Sequence, residues 1–85
     1  MATSRISFIP HALEQLRDRG ISLRDVRAVI LDPHRVTIQS KIRTRAVRQV
    51  MYQGKPYALV VAYDRRNGMI EVVTGFRSSK VEKYV

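Results

Sequence analysis

The sequence predicts an α+β fold, with two N-terminal helices packed on a four-stranded antiparallel sheet. Two observations carry that prediction. The apolar period changes from roughly 3.6 to roughly 2 residues after His34. The run Tyr57–Tyr63 (YALVVAY) is almost entirely apolar and rich in β-branched residues, as a central strand requires. At 85 residues, 45% of them hydrophobic, the chain supports one core and therefore one domain, residues 1–85.

Each element follows from local chemistry. Ile6-Ser7-Phe8-Ile9 reads as a short extended lead-in. Pro10 suits the first turn of a helix, where a missing N–H costs nothing. Leu13 and Leu16 share a face of that helix, and Gly20 is its natural stop. Ser22 is a good N-cap for the second helix, and Asp25 three residues on resembles a capping box with Asp in place of Glu. Leu23, Val26, Val29 and Ile30 form its apolar stripe, and Asp32-Pro33 ends it, because the residue before proline is pushed out of the α region. Strands follow at Arg35–Gln39 and Arg43–Tyr52, with Gly54-Lys55-Pro56 as the next turn. After the Tyr57–Tyr63 strand, Asp64-Arg65-Arg66-Asn67-Gly68 reads as a hairpin loop, its Asn-Gly supplying the positive φ such loops need. Met69–Phe76 is the last strand, and Ser78–Val85 reads as a polar, basic tail.

The charge is large and uneven. Sixteen Lys and Arg against seven Asp and Glu leave a formal net charge of +9. Residues 1–32 hold 5 basic and 4 acidic groups, whereas residues 33–85 hold 11 and 3. From Pro33 to Tyr63 there are six basic residues and no acid. This asymmetry points to a polyanionic partner, with nucleic acid ahead of an acidic protein or a membrane surface. A merely solubilising surface would be satisfied by mixed signs and a smaller excess.

Composition also excludes chemistry. With no cysteine there is no disulfide framework, thiolate nucleophile or cysteine-bound zinc. His11 and His34 lie far apart in sequence, no carboxylates are spaced for a shared cation, and no metal or other cofactor is expected. Glu14 and Asp18 sit on the solvated side of the first helix and do not form a glycosidase pair. The glycines are scattered, with no phosphate loop, and no serine stands in a nucleophile elbow. No apolar run is long enough to span a membrane, and the first ten residues lack a secretory signal, so the expected location is cytoplasmic.

The remaining inventory of Arg, Lys, Tyr and His suits metal-free cleavage of RNA. There the ribose 2′-hydroxyl attacks the adjacent phosphorus, and the protein moves two protons and neutralises phosphoryl charge. His11, in the first turn of a helix, is the candidate general base or acid, while His34 reads as a turn residue. Arg43 and Arg45 share one face of their strand, and Arg48 projects to the other. They suit a phosphate-binding surface, and equally an edge strand guarded by charge. Thr74 has the parity of Ile70, Val72 and Phe76, and Arg77 the opposite one. Arg77, Lys80, Lys83 and Tyr84 cluster near the C-terminus, where a frayed basic tail is the alternative. Tyr52, Tyr57 and Tyr63 read as sheet residues.

Several of these residues carry a family resemblance. Phe8-Ile9-Pro10-His11-Ala12, Arg19-Gly20-Ile21-Ser22, Val26 and Asp32-Pro33 resemble the opening of a small bacterial domain, domain of unknown function 4258. Val60-Val61-Ala62-Tyr63, Val73-Thr74, Arg77-Ser78-Ser79-Lys80 and Lys83-Tyr84 continue the match over nearly the whole chain. That domain is similar to BrnT toxins and, more distantly, to RelE-type toxins of type II toxin–antitoxin systems. The resemblance implies a RelE-like fold, a metal-independent endoribonuclease (an mRNA interferase) that cuts free or ribosome-bound mRNA, and a cognate antitoxin that covers the basic site. It places catalytic roles on His11, on Arg45 or Arg48, on Arg77 and on Tyr84. It places RNA-binding roles on Thr74, Lys80 and Lys83, and the basic stretch from Pro33 to Tyr63 adds Lys41 and Arg43 to them. Two other readings stay open: a non-catalytic RNA- or DNA-binding module, and a basic interaction protein for an acidic partner.

Overall fold

The computed structural model describes residues 5–85. The elements are β1 (Arg5–Phe8), α1 (Pro10–Asp18), α2 (Leu23–Leu31), β2 (Arg35–Ile38), β3 (Arg43–Tyr52), β4 (Lys55–Arg66), β5 (Met69–Ser78) and α3 (Val81–Tyr84). The fold is α+β, but the sheet has five strands in the order β1-β5-β4-β3-β2 and is mixed. The expected four-stranded antiparallel sheet is corrected at one edge. The lead-in is a strand, β1, running parallel to β5 with Arg5 opposite Met69 and Phe8 opposite Val72. β1 precedes both helices, so α1 and α2 form part of the long crossover that a parallel neighbour needs.

The helices form where their caps direct. Pro10 opens α1. Its buried residues are Ala12 and Leu16, one turn apart, whereas Leu13 is 38% exposed. The Ser22 hydroxyl accepts the Asp25 backbone N–H at 3.1 Å and so caps α2. Val26, Val29 and Ile30 of α2 are buried. Both helices lie on one face of the sheet, over a core that includes Ala46, Leu59, Val61, Tyr63, Ile70 and Val72. Gly75 permits this closeness: a Cβ there would stand 3.0 Å from Leu16 Cδ2.

Two turns are tighter than expected. Gln53-Gly54 alone links β3 to β4, and Lys55 and Pro56 already belong to β4, paired with Tyr52 and Met51. A proline near the start of a strand costs the ladder little. Asp64, Arg65 and Arg66 likewise extend β4, leaving Asn67-Gly68 as the hairpin turn, with φ of 48° and 75°. β4 is the central strand of the order, as its composition predicts. The C-terminal tail is also ordered. It forms α3, which packs against β4 on the face opposite α1 and α2.

A bulge decides which way β5 points. The ladder pairs Ala62 with Thr74 and Tyr63 with Val72, so Val73 is an extra residue. Past it, Gly75 and Arg77 share the helix side with their partners Val61 and Leu59, while Phe76 turns to the other face beside Val60. The parity expected to group Ile70, Val72 and Phe76 against Arg77 therefore breaks at Val73.

Candidate nucleic-acid interface

Alternation along β3 sorts its arginines by face. Arg43, Arg45 and Val47 pair with Asp64, Ala62 and Val60, and all lie on the side away from α1 and α2. Arg48 pairs with Leu59 and lies on the helix side. The separation of Arg43 and Arg45 from Arg48 matches the period of the sequence.

The face away from the two long helices carries a small second core. Val47, Ala58 and Val60 are buried there, with Phe76 and Tyr84 packed against them. The Phe76 and Tyr84 rings meet edge to face with centroids 6.0 Å apart. This contact seats α3, which at four residues has little stability of its own. It also carries Tyr84 to Arg45, whose guanidinium carbon stands 5.7 Å from the ring centroid. Lys83 Nζ stands 5.6 Å from the same ring. Arg45 Nε is buried without a hydrogen-bond partner among the described residues. Arg45, Lys83 and Tyr84 thus form a cationic and aromatic cluster with an unsatisfied donor at its base.

Arg43 is placed differently. It pairs with Asp64 directly across the ladder, its Nε on Oδ1 and its Nη2 on Oδ2 at 3.2 Å. The Asp64 side chain is 9% exposed and that of Arg43 42%. The hydrogen bond from Arg43 holds the Asp64 carboxyl below its ordinary pKa, against the opposing effect of burial. The same bond raises the pKa of Arg43. This arginine is neutralised in place and offers little to a phosphate.

The other site candidates lie elsewhere. Arg48 Nη1 donates to the Asp32 carbonyl at 2.6 Å and to Asp32 Oδ2 at 2.9 Å, capping the end of α2. Arg77 donates to the carbonyls of Arg19 and Gly20, and its guanidinium carbon lies 3.5 Å from the Tyr52 ring centroid. Both arginines hold helices to the sheet. His11 is exposed on α1, its Nε2 3.0 Å from Gln15 Nε2. Gln15 Oε1 accepts the Thr74 hydroxyl at 2.9 Å, so His11, Gln15 and Thr74 form a chain between α1 and β5. His34 Nδ1 accepts the Gln49 backbone N–H at 3.0 Å, a turn role as expected. Lys41 is exposed in the β2–β3 connection, and Lys80 is exposed at the start of α3.

His11, Arg45, Arg48, Arg77 and Tyr84 therefore do not share one groove. Arg45 and Tyr84 meet, Arg48 and Arg77 serve the opposite face, and His11 stands with Thr74. Two residues beyond the sequence candidates belong to this face: Phe76, which seats Tyr84, and Arg35, which shares the Arg45 face through its pairing with Val47. The alternation of β2 and β3 carried the signal for Arg35. Nothing local marked Phe76, because the bulge sets its direction.

Among the described residues, no group of three His, Cys, Asp or Glu side chains could hold a metal ion, and no helix is long and apolar enough to cross a membrane. Residues 8–85 match the family model described as Domain of unknown function (DUF4258). No curated protein and no solved structure matches the chain.

Proposed function

The chain belongs to the DUF4258 family, and we propose that it binds RNA on the sheet face away from α1 and α2 and cleaves it without metal, as a toxin of a type II toxin–antitoxin pair. The observation that carries this reading is Arg45, with a buried unpartnered Nε, beside the Tyr84 ring and near Lys83. A guanidinium fork suits two oxygens of one phosphate, and Lys83 adds a second cation. In the reaction the 2′-oxygen bonds to phosphorus and the bond to the 5′-oxygen breaks. The products are a 2′,3′-cyclic phosphate and a free 5′-hydroxyl. The Tyr84 phenol gives its proton to the leaving oxygen, and the 2′-hydroxyl proton passes to solvent. An antitoxin with an acidic segment is the partner that would cover this face.

The position of His11 favours a second reading, in which the same cluster holds RNA without cutting it. No imidazole stands beside Arg45 to take the 2′-hydroxyl proton near neutral pH.

The test is to incubate purified protein with end-labelled single-stranded RNA and with mRNA on ribosomes, both in chelator. Cleavage to cyclic-phosphate ends, lost in Arg45→Ala and Tyr84→Phe, supports the toxin reading. Intact RNA that is retained, with affinity falling steeply with salt, supports the binding module. RNA that is neither cut nor retained overturns both.

A further inference from the structure

We propose that the open edge of β2 pairs with β2 of a second copy of this chain, joining two sheets into one of ten strands. The inference does not rest on RNA binding.

β2 is an outermost strand, paired on one side only, and all four of its residues are exposed. Edge strands are usually guarded by proline, a bulge or inward-pointing charge. β2 contains no proline, pairs with β3 without a register shift, and carries one charged residue, Arg35. Its two residues on the helix side, Val36 and Ile38, are 49% and 77% exposed. α2 packs over β3 and β4, so the helical layer leaves this apolar pair open.

The strand is also complementary to itself. An antiparallel two-fold pairing centred on Thr37 sets Val36 of each copy opposite Ile38 of the other, both on the helix side. Thr37 then faces Thr37, and Arg35 faces Gln39, on the other side. No like charges stand opposite one another, and the apolar pairs are those that stabilise neighbouring strands. Arg35 is the one charged residue of β2 itself, and Lys41 and Arg65 line the hollow beside Val36 and Ile38, so the match of apolar residues rather than charge selects the second copy. The opposing force is the net charge of +9 on each chain. Salt screens that repulsion and leaves the apolar contact intact, so the dimer tightens as salt rises.

Sedimentation equilibrium and single-cysteine crosslinking test this together. The weight-average mass of the wild-type protein should rise from 9.8 kDa toward twice that value with concentration, and more so at high salt. Ile38→Lys should remain at the single mass with an unchanged circular dichroism spectrum. The chain has no cysteine, so Thr37→Cys can form only an intermolecular disulfide. Residues directly opposite across an antiparallel pair have Cα atoms about 4.5–5.5 Å apart, within disulfide range. Thr37→Cys should therefore crosslink at least about tenfold faster than Arg24→Cys, placed on the exposed surface of α2. The proposal is overturned if wild-type protein stays at 9.8 kDa up to about 1 mM in high salt. It is equally overturned if Thr37→Cys crosslinks no faster than the control. Equal association of wild type and Ile38→Lys would place the contact elsewhere and also overturn it. Should Ile38→Lys fail to fold, the crosslinking rates decide alone.

Discussion

Arg45 on β3 and Tyr84 on α3, separated by 39 positions in sequence, meet with the guanidinium carbon 5.7 Å from the ring centroid. The meeting depends on Phe76, which the β5 bulge turns toward Tyr84. One extra residue, Val73, thus brings the C-terminal cation and phenol to the strand arginine. Arg45→Ala should weaken binding of single-stranded RNA by about tenfold and reduce the salt slope by about one phosphate's worth, measured by fluorescence anisotropy over a salt series. An unchanged slope would remove Arg45 from the phosphate contacts.

Phe76→Ala should act on the same site from a distance. Without the edge-to-face contact, α3 loses its anchor, and the loss of a large buried ring costs about 3 kcal/mol or less here, because Phe76 is only half-buried. RNA affinity should fall as in Tyr84→Ala, while thermal unfolding of the rest of the sheet stays cooperative. Full RNA affinity in Phe76→Ala would show that the position of α3 does not matter.

The Arg43–Asp64 pair predicts a pH dependence. The folded-state pKa of Asp64 is depressed, so its contribution is complete above the unfolded-state value of about 4 and is lost as pH falls through the lower folded value. Asp64→Asn should lower stability at pH 7 by about 1–3 kcal/mol, discounted for the solvent exposure of Arg43. Between about pH 5 and pH 2 its stability should fall less than that of the wild type, as read by urea unfolding at each pH. Parallel acid limbs for the two proteins would contradict the assignment.

Arg48 and Arg77 should separate stability from binding. Arg77→Ala removes two hydrogen bonds to the α1–α2 turn and the stack on Tyr52, and should cost about 1–3 kcal/mol. Arg48→Ala uncaps the end of α2 and should cost about 1 kcal/mol. RNA affinity should be unchanged in both once the protein is folded. A fall matching that of Arg45→Ala would bring the helix side back into the interface.

The parts of this fold legible in the sequence are those governed by neighbours a few positions apart. Ser22 caps α2, Pro10 opens α1, Asn67-Gly68 turns the hairpin, and alternation along β3 separates Arg45 from Arg48. What sequence period could not carry is set by distant contacts. β1 is a strand because β5, some 64 positions later, lies beside it. Four-residue α3 exists because Tyr84 finds Phe76. A single unpaired residue in β5 exchanges the faces of Phe76 and Arg77, and nothing in Val72-Val73-Thr74 distinguishes a bulged strand from a regular one. Hence the candidates His11, Arg45, Arg48, Arg77 and Tyr84 fall in three separate places, with Arg45 and Tyr84 together.

The most direct measurement is a titration of isotope-labelled protein with a short single-stranded RNA, following backbone amides and arginine Nε–Hε signals by NMR. The account predicts the largest shifts at Arg45, Lys83 and Tyr84, with Arg48, Arg77 and His11 nearly still. Shifts concentrated at Arg48, Arg77 or His11, or no shifts at any RNA concentration, would contradict it.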